Sequence, residues 1–138
     1  MTNRRLLAVA PLIILATVFV FAALGTSGEE GIVKYTLYIG LNDKDTYQQE
    51  ISTEEAEALV EEITLKHADG FTRIIAKGAY KDGAGVVTFE NSLIYEFLFV
   101  TEEQINRIMD EVLVALNQES ILVETQTVDA MFYQTARP

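Results

Sequence analysis

Cysteine is absent from the 138-residue chain. Disulfides, thiol catalysis, Cys-ligated zinc and a lipid-modified N-terminal Cys are thereby excluded. Histidine is nearly absent: His67 is the only one, so no site within one chain can draw on several imidazoles. Basic residues are scarce, 10 against 21 acidic ones, for a formal net charge of −11. Arg4 and Arg5 lie in the N-terminal stretch, and the rest holds 8 basic against 21 acidic residues, a net of −13. Such a surface repels phosphate backbones and anionic headgroups. Nucleic acid is therefore not an expected partner, and any membrane contact falls to an apolar segment. No glycine-rich loop leads into a helix to cradle phosphate; Gly78, Gly83 and Gly85 belong to a strand–turn–strand stretch.

One apolar segment is present. After Thr2-Asn3-Arg4-Arg5, residues 6–24 run without a charge, from Leu6 through Leu15 to Leu24. As a helix this segment reaches ~28 Å, about the hydrocarbon thickness of a bilayer. Basic residues before it and an acidic chain after it predict a single pass through the cytoplasmic membrane, N-terminus inside and domain outside. Pro11 sits early in the segment, where neighbouring turns resatisfy the freed carbonyl. The rival reading is a cleaved signal peptide with secretion. Ala23-Leu24-Gly25 and Gly25-Thr26-Ser27 both offer small residues at the required spacing. Both readings export the acidic remainder of the chain. Residues 1–25 are thus anchor or signal, 26–31 a linker, and 32–134 one α+β domain, large enough for one core and too small for two.

Residues 32–39 alternate β-branched and aromatic side chains and predict a strand. Ser52 with Glu55 three residues on is a capping box. The helix behind it carries Ala56, Leu59, Val60 and Ile63 on one face, with His67 continuing the stripe. Asp69-Gly70 ends it. A second strand is expected over 71–80, a glycine turn at 82–85, and a long strand region over 86–100, bent or bulged near Glu90-Asn91-Ser92. Thr101 and Gln104 form a second capping box. It opens a helix striped by Ile105, Ile108, Met109, Val112 and Leu116, with Asn117 as its C-terminal cap. A last strand is expected over 121–128, with 130–133 as a candidate extension. The order β-α-β-β-α-β is that of the ferredoxin-like split βαβ fold. Two right-handed crossovers would put both helices on one face of an antiparallel sheet of order 4-1-3-2, leaving the other face open.

Several short motifs in this order resemble a known family. They are Leu37-Tyr38-Ile39-Gly40, Asp69-Gly70-Phe71-Thr72, Gly78-Ala79-Tyr80, Glu90, and Asn117-Gln118-Glu119-Ser120-Ile121-Leu122. The chain is similar to a family of small exported bacterial proteins grouped as a domain of unknown function. The resemblance spans nearly all of the exported part. It implies a ferredoxin-like fold and carries no activity, cofactor or site residue with it.

Period two assigns side chains to the open face. On the first strand these are Lys34, Thr36 and Tyr38, and on the second Arg73, Ile75 and Lys77. The third contributes Ile94, Glu96 and Leu98, and the fourth Leu122, Glu124 and Gln126. Glu96 would then lie between Lys34 and the Arg73/Lys77 strand, with Glu124 beside Lys34. Cross-strand charges of this kind ordinarily just stabilise a sheet. The functional reading is a face that pairs with a second copy or another protein, or that covers a ligand cavity.

The remaining candidates are weaker. His67 is the only side chain expected to titrate near neutrality, and it fits a half-buried residue closing the helix–sheet gap. Asp43, Asp45 and Glu54 match the first, third and twelfth positions of a calcium loop, but Gln48 stands where that loop needs Gly. They otherwise read as a solvated turn able at most to hold an exposed calcium weakly. Glu61-Glu62 and Glu102-Glu103 point ~100° apart on helices and form no shared-proton pair. Glu90 and Glu96 sit in a strand among apolar neighbours, where burial would suit acid–base chemistry.

No metal or cofactor is implied. The leading expectation is a non-enzymatic, membrane-tethered module acting by protein contact through the open face. The alternatives are a small-ligand sensor using that face, and an enzyme in which Tyr38, Tyr95, Glu90 or Glu96 converge on a pocket.

Overall fold

The computed structural model describes residues 31–135. The apolar segment 6–24, its flanking cleavage candidates and linker residues 26–30 lie outside the described residues. Among the described residues, no helix is long and apolar enough to cross a membrane.

The elements follow the expected order: β1 (Ile32–Gly40), α1 (Thr53–His67), β2 (Thr72–Lys81), β3 (Val87–Phe97), α2 (Glu102–Ala115) and β4 (Leu122–Val128). The sheet is antiparallel throughout, with order β2-β3-β1-β4. This is an α+β arrangement compatible with the ferredoxin-like fold. Both capping boxes form. Ser52 Oγ accepts from Glu55 N at 3.1 Å while Ser52 N donates to the Glu55 carboxylate at 2.9 Å. Thr101 and Gln104 repeat the exchange at 3.2 and 2.8 Å. Each satisfies two amides that a helix start otherwise leaves orphaned.

The third strand is not bulged. Its pairing with β2 continues without a slip from Thr72↔Glu96 to Lys81↔Val87, so Glu90, Asn91 and Ser92 keep normal strand alternation. The polar run is tolerated because Ser92 and Glu90 face the uncovered side, and Asn91 is bonded by Leu41 N and reaches Gln49. At the hairpin tip, the Asp82 carboxylate accepts from the amides of Ala84 and Val86, both at 2.9 Å, and Gly85 takes φ 86°. That conformation favours glycine. Residues 129–135 add no strand. Leu116 is the cap of α2, and Asn117 follows it at φ 47° rather than being the cap itself.

The core lies between the helices and one sheet face. Leu37, Ile39, Leu93, Tyr95 and Phe97 supply the sheet side, and Ala56, Val60, Ile63, Ile105, Ile108 and Val112 the helix side. Thr64 is also fully buried there, and its hydroxyl has no hydrogen-bond partner. An unpaired buried hydroxyl costs more than an apolar isostere. Thr64→Val is accordingly expected to stabilise the domain by about 1 kcal/mol, checked by urea unfolding of a chain beginning at Glu29.

Candidate functional site

Residues directly opposite in an antiparallel sheet share a face, so the register assigns the open side without ambiguity. Thr36 stands opposite both Glu96 and Glu124, and Lys34 opposite Gln126. Tyr38 stands opposite Ile94 and Leu122. Lys34, Thr36, Tyr38, Glu96, Glu124 and Gln126 therefore share the uncovered face, as expected.

Arg73 and Lys77 do not join them. Arg73 is opposite the core residue Tyr95, and Lys77 is opposite Asn91, so both lie on the helix side. The open-face residues of β2 are instead Thr72, Ile74, Ala76, Gly78 and Tyr80. Ile75 likewise changes sides. The cause is chemical: Arg73 finds the acidic flank of α1, pairing with Glu57 at 3.2 Å and Glu61 at 3.1 Å. A charge on the helix side of an edge strand is stable where a helix offers it carboxylates. Burial holds the Tyr95 hydroxyl above the usual phenol range, and the neighbouring Arg73 offsets part of that rise. Tyr95 is fully buried on the helix side, so it cannot converge with Glu90 and Glu96 on the open side.

The open face is organised around two polar pairs. Lys34 Nζ bonds the Glu96 carboxylate, and this contact holds the ammonium above its ordinary pKa. The Tyr38 hydroxyl donates to Glu124 at 2.9 Å, which raises the phenol, and Gln126 donates to the same carboxylate at 2.8 Å. Thr36 is buried amid these groups. Around them Ile74, Leu98, Tyr80 and Leu122 stand exposed.

Each end of the face is hollowed. Where the chain enters β1, a cavity of about 600 Å³ is bordered by Lys34, Phe71, Glu96, Leu98, Phe99 and Phe132. Phe99 and Phe132 stack there with ring centroids 5.1 Å apart. At the far end a cavity of about 560 Å³ opens between the sheet and two loops, with Tyr38, Gly40, Tyr80, Glu90 and Leu122 on its sheet side.

Those loops are stitched together. Asn117 Nδ2 donates to Asp43 and Asp45, both at 2.8 Å, and Gln118 donates to the Asn42 carbonyl at 2.7 Å. Asn117, together with the amides of Asp45 and Thr46, holds the Asp43 carboxyl below its ordinary range. Asp43 and Asp45 are thus occupied as a loop clasp, and the described residues contain no cluster of three groups able to hold a metal ion. In the sequence Asn117 reads as a helix end and as the start of a family motif; the available signal for the clasp is the polar Asn117-Gln118 pair directly after an apolar stripe.

A depressed carboxyl stabilises the fold above its unfolded pKa and loses that effect as pH falls through the folded one. Asp43→Asn should therefore lower the urea midpoint at neutral pH, with the deficit closing at acid pH, below the ordinary carboxylate range. A deficit unchanged between neutral and acid pH would count against the clasp.

His67 is half-buried, and its polar contacts run to α2. Its ring meets the Glu111 carboxylate of α2 at 2.6 Å and its carbonyl accepts from Gln104, joining helix to helix. This contact lowers the Glu111 pKa.

Comparison with known proteins agrees with this architecture. Residues 34–132 match the family described as "Protein of unknown function (DUF3574)", and the chain belongs to that family. No curated protein matches it. Among solved structures it is similar to a phage SAM lyase in complex with S-methyl-5'-thioadenosine, at 18% identity and TM-score 0.53, over 75% of this chain and 94% of that one. It is also similar to the periplasmic divalent cation tolerance protein CutA from Archaeoglobus fulgidus, at 15% identity and TM-score 0.49, over 72% and 87%. At 18% identity the likeness to the lyase speaks to the fold alone.

Proposed function

We propose that this domain is held outside the cytoplasmic membrane by the segment 6–24 and works as a protein-contact module whose open sheet face pairs with a second copy. The supporting observation is the face itself, a four-stranded sheet covered on one side only, with exposed large apolar side chains around internally paired polar ones. Strand spacing and rise give a footprint of ~600 Å² per copy, ~1,200 Å² in all, inside the range of specific interfaces.

Charge favours the same arrangement. Five acidic residues lie on α1 and four on α2, against Glu90, Glu96 and Glu124 on the open face. Sheet-to-sheet pairing sends both acidic helix layers outward, with two sheets between them. Packed layers lie ~10 Å apart, so the separation exceeds the ~8 Å screening length.

Because the chain has no cysteine, single introduced thiols report cleanly. In intact cells, Lys44→Cys should react with a membrane-impermeant maleimide, and the protein should stay with the membrane at its full mass. Under mild oxidation some open-face positions, such as Ile94→Cys, should give a disulfide-linked dimer, whereas Val114→Cys on α2 should not. Labelling only after lysis would rule out export. Release at reduced mass would replace the tether by secretion. Dimers from helix positions alone would remove the open-face interface.

A further inference from the structure

The far-end cavity combines features that no pairing of sheets requires. Its floor is the Glu90 carboxylate, which lies across β1 at Gly40. A Cβ at that position would come within 2.6 and 2.8 Å of the two carboxylate oxygens, so glycine is what lets the acid lie there. Glu90 makes no ion pair among the described residues. Tyr38 and Tyr80 line the same cavity from the sheet, and Tyr47 adds a third aromatic side chain to its lining. Asp43 and Glu119 bring two more carboxylates, against a single lining cation, Lys44. At about 560 Å³ the space suits a small molecule. The acids are too dispersed to form a metal-ion cluster.

Aromatic faces and an unpaired carboxylate recognise the same chemistry, since a ring quadrupole attracts a cation much as a carboxylate does. We propose that this cavity binds a small organic cation, an ammonium or guanidinium on a compact apolar body, with the positive group against Glu90 and the body between Tyr38 and Tyr80. Every lining residue comes from one chain, so the site does not depend on the pairing proposed above. Four separate segments build it: the end of β1 with the loop behind it, the end of β2, the middle of β3, and the turn into β4. These include four of the five motifs on which the family resemblance rests.

The test uses the full-length chain in non-ionic detergent, titrated by saturation-transfer NMR with choline, phenethylamine and agmatine. The uncharged choline isostere 3,3-dimethylbutan-1-ol serves as comparison. At least one cation should saturate the protein below about 10 mM, and the uncharged isostere should bind more weakly than choline by about tenfold. Glu90→Gln should weaken the best cation by about tenfold and leave the thermal midpoint unchanged. Tyr80→Leu should weaken it as well, and Glu62→Gln on α1 should not. The proposal is overturned if none of the three cations binds, if the isostere binds as well as choline, or if Glu90→Gln leaves a bound cation's affinity intact in a folded protein.

Discussion

Replacing Ile108 by Ala is expected to lower the unfolding free energy of the domain by roughly 3 kcal/mol. Ile108 is fully buried on the inner face of α2, within the cluster that includes Leu37, Leu93, Val60 and Ile105. Truncation removes three carbons and leaves a hole that the antiparallel sheet is too rigid to close. Transfer and cavity costs therefore add. A domain of about 100 residues has only ~5–10 kcal/mol in total, so the variant should lose a large fraction of it. Val114 provides the internal comparison. It lies on the same helix but is 83% exposed, and Val114→Ala should change stability by less than about 0.5 kcal/mol. Urea unfolding followed by circular dichroism measures both. A loss under about 1 kcal/mol for Ile108→Ala would mean that α2 is not seated on the sheet through this face.

The second large effect concerns association. Ile74 and Ile75 are adjacent on β2, and 48% and 60% of their surfaces are exposed. They differ in side: Ile74 is opposite Ile94 on the open face, and Ile75 is opposite the core residue Leu93. Ile74→Asp would place an unpaired carboxylate in the sheet–sheet contact, a cost of at least 2–3 kcal/mol on top of the lost apolar area. Dimer affinity should fall by about a hundredfold or more. Ile75→Asp introduces the same charge one residue away and should leave association unchanged. Sedimentation of the two variants in detergent separates them. Equal loss in both would point to general destabilisation, and loss only in Ile75→Asp would reverse the face assignment.

That pair of residues also marks the limit of what the sequence disclosed. Alternation was unambiguous on β1, because Leu37 and Ile39 are apolar while Lys34 and Thr36 are not. The capping boxes at Ser52 and Thr101 set both helix starts, and the apolar stripes set their inner faces. The sheet order followed from element order and handedness. On β2 the signal failed. Ile74 and Ile75 are both apolar, and an edge strand buries little on either side, so period two had no purchase. Arg73 then looked like a solvent-facing charge, because its partners Glu57 and Glu61 sit on another element. A one-residue slip of that kind moves every side chain of the strand to the other face.

The far-end cavity was illegible for a different reason. Gly40, Tyr80, Glu90 and Gln118 are far apart in the chain, and only the register and the loop clasp at Asn117 bring them together. Each was visible in the sequence as part of a short motif, but nothing local showed that the motifs meet.

The chain enters β1 beside the stacked Phe99 and Phe132, and Gly40 at the other end of that strand lies beneath the Glu90 carboxylate that floors the cavity. One strand of nine residues therefore spans the distance from the entry point to the site. β1 is central, hydrogen-bonded to β3 on one side and β4 on the other. A pull between an anchored N-terminus and an object held at the cavity would act along this strand. The load would fall in shear on both ladders together, rather than peeling bonds one at a time. Such a geometry would suit a domain tethered as proposed above, because force along β1 meets both ladders at once.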